Sequence, residues 1–240
     1  MHKQNCFVTL TYRPDSVPPG GSLRYRDFQL FMKRLRKRAK VPIRFFVCGE
    51  YGELLSRPHY HACLFGYDFP DKRPTTYLAQ KGDWRSKLLE DVWSLGHTHL
   101  GELNVRSAAY AARYVLKKVT GRDADFHYRR VDVDGVVYDL APEFCRMSLR
   151  PGVGNGWFHR FRDDLRGDYV VRDGMKFAVP KYYDRLLERE DPEELASRKE
   201  ARELRALPFR MEQSPERLAV REKVEAARIS TLKRDLESRR

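Results

Sequence analysis

Short runs of alternating apolar and polar residues recur along the first half of the chain, and between them the pattern switches to a helical period. Side chains alternate faces in a strand, so "NCFVTLTYR" (residues 5–13) reads as a first strand, closed by the turn-rich "PDSVPPGGS". In "LRYRDFQLFMKRLRKRAK" (residues 23–40), Phe28, Phe31, Leu35 and Ala39 recur at helical spacing and leave a strongly basic outer face. "IRFFVCGEYG" and "HYHACLFGY" then read as two strands of an antiparallel hairpin. "DWRSKLLEDVWSLG" (residues 83–96) reads as a helix stopped by Gly96, and "HTHLGELNV" as a further strand. "SAAYAARYVLKKVTG" reads as a helix with Ser107 as N-cap and Gly121 as stop.

The order β-α-β-β-α-β-α, with hairpin links and helices able to cover one sheet face, predicts an α+β sandwich on a mainly antiparallel sheet. Beyond it, Asp134-Gly135 and Asp173-Gly174 are hairpin signals. Gly152, Gly154 and Gly156 form a loop before a helix starting near Asn155; it reads equally as a close backbone approach to DNA or as a turn. From about Tyr183 to Arg240, charged residues and good helix formers predict surface or trailing helices.

A chain of 240 residues holds one generous domain with an appendage, or two small ones. Its 41% hydrophobic and 12% aromatic content excludes wholesale disorder. The 47 Lys and Arg against 34 Asp and Glu give a net +13, which points to a polyanionic partner, nucleic acid ahead of a membrane surface. No apolar run approaches the roughly 20 residues needed to span a bilayer, and no signal-peptide core is present. Cys6, Cys48, Cys63 and Cys145 show no CxxC spacing, so reduced, buried thiols of a cytosolic protein are expected.

In "SRPHYHACLFG", His59 and His61 point to one face of a strand and Tyr60 to the other. If the hairpin closes symmetrically around Leu54 and Leu55, Glu50 falls opposite His59, about 5 Å away across the strands. Two imidazoles and one carboxylate would bind a divalent ion and leave positions open for phosphate oxygens. Glu53, in the loop, is the alternative acid. A second pair, His97 and His99 in "GHTHLG", is the alternative imidazole pair, with no acid before it in a plausible hairpin.

On the last helix, Ala108, Ala112, Val115, Leu116 and Val119 gather on one side of a helical wheel and predict the buried face. Tyr110, Tyr114 and Lys117 gather on the opposite side, within about 60° of one another, and are expected to face outward. They read either as tyrosines covering a sheet edge or as two phenol nucleophiles serving one site, with Lys117 to stabilise the phenolate or orient a phosphate. Candidate phosphate contacts are Arg34, Arg36, Lys37 and Arg38 on the first helix and Arg113 and Lys118 beside the tyrosines; a charge run also reads as a solvated face.

Taken in order, these motifs resemble the HUH endonucleases. His59-Tyr60-His61 is similar to their His-hydrophobic-His motif, with a bulkier central residue, and "FVTLTY" (residues 7–12) resembles their first motif. "YAARYVLKK" (residues 110–118) resembles the two-tyrosine motif of rolling-circle replication initiators, and "RMSLRPGVGNGWF" (residues 146–158) resembles a segment of the gokushovirus-type microvirus initiators. The resemblance covers roughly residues 5–185. It implies a ferredoxin-like (RRM-like) palm in residues 1–184, with core motifs in 5–121 and a family-specific part in 122–184, followed by a charged helical extension in 185–240.

It also implies one Mg²⁺ or Mn²⁺ held by His59, His61 and Glu50, nucleophiles Tyr110 and Tyr114, and Lys117 as accessory cation. The implied activity is nicking of a single-stranded or supercoiled phage origin, with a 5′-phosphotyrosine intermediate, a 3′-OH primer and rejoining of ends. No GxxxxGK[ST] loop occurs, so no nucleotide cofactor is expected and unwinding falls to a host helicase working with the host DNA polymerase. The expected place of action is the host bacterial cytoplasm, with no membrane partner. A plasmid or transposon nuclease of the same chemistry is one other reading. A non-catalytic RRM-like module that stacks single-stranded DNA or RNA bases on exposed aromatics is another.

Overall fold

The computed structural model describes residues 1–52, 55–75, 83–114 and 118–231. Glu53 and Lys117 lie outside the described residues, as do Val115 and Leu116. The chain divides into two compact units, Met1–Val153 and Gly154–Arg240. Residues 154–184, grouped above with the palm, fall in the second unit.

The strands of the first unit are β1 (Asn5–Tyr12), β2 (Arg44–Tyr51), β3 (Pro58–Phe65), β4 (Arg73–Pro74), β5 (Asp83–Arg85), β6 (Gly96–Gly101), β7 (Arg129–Val131), β8 (Val137–Asp139) and β9 (Phe144–Met147). Seven of them form one sheet in the order β4-β5-β6-β1-β3-β2-β9, with every neighbouring pair antiparallel. The inner order β6-β1-β3-β2, with α1 (Tyr25–Ala39) after β1 and α2 (Lys87–Trp93) after β3, is the ferredoxin-like arrangement expected from the sequence. The short α4 (Ala124–Tyr128) leads into a small hairpin of β7 and β8, which turns at Gly135, where a positive φ suits glycine.

Alternation sorts the sheet residues onto two faces. Val8, Leu10, Tyr12, Val47, Tyr60, Ala62, Leu64 and Leu100 point to the face covered by α1 and α2. There they meet Phe28, Phe31, Met32 and Leu35 of α1, and Leu89, Val92 and Trp93 of α2. Burying each such side chain contributes about 1.5–3 kcal/mol, which makes this the main core. Tyr60, the bulky centre of the His-x-His motif, fits here: its hydroxyl bonds to the Tyr12 hydroxyl at 2.7 Å and donates to the Arg24 carbonyl at 2.9 Å. The opposite face carries Phe7, Thr9, Cys48, His61 and Cys63, and α3 (Val105–Arg113) packs on part of it.

Several boundaries differ from the sequence reading. Asp83–Arg85 is a strand, because Ser86 caps α2 by accepting from the Leu89 N–H, and Trp84 pairs with Leu100. Ser94, left-handed at φ 55°, closes that helix. Gly96 opens β6 and passes so close to β1 that a Cβ would lie 2.2 Å from the Thr11 carbonyl oxygen, which requires glycine. Asn104 is the N-cap of α3, and Ser107, three residues on, completes a capping box with it.

The second unit holds α5 (Asn155–Phe161), the hairpin of β10 (Tyr169–Arg172) and β11 (Met175–Ala178), and the helices α6 (Lys181–Glu190), α7 (Pro192–Ala206) and α8 (Pro215–Ser230). The Asp173-Gly174 turn has both residues at positive φ, as a two-residue hairpin requires. Phe158, Leu165, Leu186, Leu187 and Leu195 form its small core, and Arg202 bridges Asp168 and Asp184. Helix α8 has no buried residue, in keeping with the charged helical extension expected there. Among the described residues, no helix is long and apolar enough to cross a membrane.

Candidate active site

The β2–β3 hairpin sets Glu50 opposite His59 and Cys48 opposite His61, the register deduced from symmetric closure. Glu50 Oε1 lies 2.7 Å from His59 Nε2 and 3.2 Å from His61 Nε2. Glu50 is wholly buried. Burial alone would push its carboxyl up, but hydrogen bonds from His59 and His61 outweigh that and hold it far below the usual carboxylate range. Among the described residues, Glu50, His59 and His61 form the group of ligand-capable side chains that converges, with donor atoms within 4.8 Å of one another.

Both imidazoles are held through Nδ1. His59 Nδ1 bonds to the Arg57 carbonyl oxygen at 3.0 Å; a carbonyl only accepts, so that nitrogen carries the proton and Nε2 faces the acid. His61 Nδ1 lies 2.9 Å from Thr9 Oγ1. Two Nε2 atoms and a buried carboxylate are a donor set that suits a divalent cation of the Mg²⁺ or first-row kind.

The two tyrosines join this centre from the inside. Contrary to the wheel, Tyr110 and Tyr114 are both buried, and Ala112 is exposed. The wheel assumed a helix continuing to Val119, but the regular helix ends at Arg113 and Tyr114 is its C-cap. The face it buries is therefore set by Ser107, Tyr110, Ala111 and Tyr114, packed against Phe7, Cys48 and Cys63. The Tyr114 hydroxyl donates to the Tyr110 hydroxyl. The His61 ring is stacked between Phe7 (centroids 5.7 Å, 17°) and Tyr114 (5.1 Å, 17°), and Tyr110 meets its edge at 5.1 Å. Acid, imidazoles and phenols thus occupy one place.

The remaining candidates divide. Arg113 is half-buried at the end of α3, and Lys118 is exposed just beyond the tyrosines. Arg34, Arg36, Lys37 and Arg38 are on α1, which covers the opposite face of the sheet, and are not brought to the site. Arg36 is occupied locally, donating to the Ile43 carbonyl at 2.7 Å and lying over the Phe45 ring. His97 and His99 face the same side as His59 and His61 with β1 between them, His97 opposite Thr11 and His99 opposite Thr9. Their acid comes from β5: His99 Nε2 lies 2.7 Å from Asp83 Oδ1. Thr9 and Phe7 escaped the sequence reading. Their alternation within "FVTLTY" was visible, but not that β1 would lie beside β3.

With this geometry in hand, comparison with known proteins is informative. Residues 5–119 match the family model of the replication-associated protein ORF2. This segment belongs to that family. The replication-associated protein ORF2 of Spiroplasma virus 4 is 36% identical over 210 residues, covering 78% of this chain and 59% of that protein. The replication-associated protein VP4 of Bdellovibrio phage phiMH2K is 29% identical over 206 residues, covering 80% and 61%. The replication-associated protein ORF4 of Chlamydia phage 1 is 29% identical over 196 residues, covering 78% and 46%. The chain thus spans about half to three-fifths of the length of these phage relatives. No solved structure matches.

Proposed function

We propose that this phage replication-associated domain is an initiator that nicks a single-stranded or supercoiled DNA origin through tyrosine. The observation that carries the reading is the contact of two hydrogen-bonded tyrosine hydroxyls with the imidazole of a Glu50-His59-His61 centre. A Mg²⁺ or Mn²⁺ ion held by Glu50, His59 and His61 would polarise the scissile phosphate and stabilise charge in an in-line displacement.

In the reaction, a tyrosine Oη attacks phosphorus as the P–O3′ bond breaks. The 5′ end is retained as a phosphotyrosine ester, and the leaving 3′ oxygen takes up a proton as the phenol loses one. The released 3′-OH primes synthesis by the host polymerase, with a host helicase opening the duplex. After one round the second tyrosine cuts the regenerated origin, and the freed 3′-OH attacks the first ester to release a circle. Tyr110 and Tyr114, adjacent and sharing a hydrogen bond, suit such alternation. Lys117 is proposed as the accessory cation, and Arg113 and Lys118 as phosphate contacts flanking the nucleophiles. A base-stacking binder is disfavoured because both tyrosine rings are buried rather than displayed.

The test is to mix the full chain with labelled circular single-stranded phage DNA and Mn²⁺ and look for protein attached to a 5′ end. The adduct is expected with wild type and absent with EDTA, with His59→Ala and with the Tyr110→Phe/Tyr114→Phe pair. An adduct surviving the double Phe substitution would place the nucleophile elsewhere.

A further inference from the structure

We propose that Thr9 is a positioning residue of the metal centre, its hydroxyl selecting the ring orientation in which His61 offers Nε2 to the ion. The inference rests on reading Glu50, His59 and His61 as the ligands.

The two histidines are held by unlike means. Nδ1 of His59 bonds to the main-chain carbonyl of Arg57, a partner that any side chain at that position would leave in place. For His61 the Nδ1 partner is a side chain, the nearly buried hydroxyl of Thr9, directly opposite it in the β1–β3 register. Phe7 and Tyr114, each inclined by 17° to the imidazole, clamp its plane and prevent tipping. Stacking cannot, however, distinguish an imidazole from the same ring turned over about Cβ–Cγ. In the flipped ring, Cε1 takes the place of Nε2 and a carbon faces Glu50. The hydrogen bond to Thr9 breaks that degeneracy, since only the observed orientation puts Nδ1 at the hydroxyl. With Thr9 accepting the Nδ1 proton, Nε2 is the nitrogen with a lone pair to give. Partners of this kind behind a metal-binding imidazole typically tune affinity by about 10–100-fold.

Thr11 provides a control on the same strand and face. It stands opposite His59, whose Nδ1 is already taken by Arg57.

The experiment uses the full chain, with Mn²⁺ alone as probe in calorimetry and ¹⁵N imidazole NMR on the metal-free protein. Thr9→Val keeps the shape and strand preference of the residue and removes the hydroxyl; Thr9→Ser keeps the hydroxyl. Thr9→Val is expected to weaken Mn²⁺ binding about 10–100-fold, while Thr9→Ser and Thr11→Val stay within about threefold of wild type. In NMR, His61 is expected as the Nδ1–H form in wild type and Thr9→Ser and as a mixture in Thr9→Val. Thr9→Val binding Mn²⁺ like wild type, keeping the wild-type His61 signature, or being matched in its loss by Thr9→Ser, overturns the assignment of Thr9 alone. A wild-type chain that binds no Mn²⁺ overturns the metal reading and takes this proposal with it.

Discussion

Glu50 and His59 face each other across the β2–β3 hairpin, Oε1 to Nε2 at 2.7 Å, with the carboxylate wholly enclosed. A buried carboxylate costs several kcal/mol unless a cation or proton donor meets it. In the metal-free protein the imidazole N–H groups fill that role, and a divalent ion would replace those protons. Metal binding and proton release are therefore coupled at this centre.

The first prediction concerns metal and stability. Mn²⁺ at about 100 times its dissociation constant should stabilise the wild-type fold by about 2.7 kcal/mol, seen as a rise in Tm of several degrees that EDTA reverses. Glu50→Gln keeps the shape but loses the charge, and should lose most of that rise. An equal rise in both proteins would mean that the ion binds elsewhere.

The second concerns pH. Because the folded protein holds Glu50 well below its ordinary value, its ionisation stabilises the metal-free fold above the unfolded-state value of 4.5, and that contribution drains away as pH falls further. Denaturant titrations in EDTA should show the wild-type advantage over Glu50→Gln at its fullest near neutrality and shrinking below about pH 4.5. A difference that stays constant down to pH 3, or grows, contradicts the role given to the two imidazoles.

How much of this was legible beforehand depended on the range of the contacts involved. The Glu50–His59 pairing is a hairpin contact, fixed by a short loop and by alternation, so local sequence sufficed. Thr9 and Phe7 reach His61 only through strand order, which pattern cannot supply, and Asp83 reaches His99 for the same reason. The tyrosines failed in a different way. Their helical spacing was right and the side they face was not, because the wheel counted hydrocarbon residues beyond Arg113, where the helix has already ended. Large aromatic rings also bury well while keeping a hydroxyl for chemistry, so they need not lie on the polar side.

That burial makes the third prediction specific. Tyr110→Phe and Tyr114→Phe each keep the ring packed on His61 and remove one hydroxyl, so each should cost about 1 kcal/mol of stability or less. Truncation to alanine should cost about 3–5 kcal/mol and disturb the metal site as well. In the adduct assay each single Phe variant should still form a covalent 5′ product, and the pair should form none. Loss of all product in both single variants would show that the phenols act as a coupled unit rather than in turn.

The two faces of the sheet supply the last prediction. On the covered face, the Tyr12 hydroxyl donates to Asp27 at 2.8 Å and meets the Tyr60 hydroxyl. Tyr12→Phe leaves both short of a partner and should cost about 1–3 kcal/mol in denaturant unfolding, yet leave single-turnover cleavage of a short origin oligonucleotide unchanged. Lys37 and Arg38 are exposed on α1 on that same side, so their joint replacement by alanine should alter binding of the short single strand by about twofold at most. Arg113 and Lys118 flank the nucleophiles, and replacing both should weaken binding about tenfold and flatten its salt dependence, as lost phosphate contacts do. Fluorescence anisotropy at two salt concentrations, in the uncleaving double Phe background, separates the cases. If the α1 pair proves the more damaging, the bound strand runs over the helical side, and the metal face is not where DNA is held.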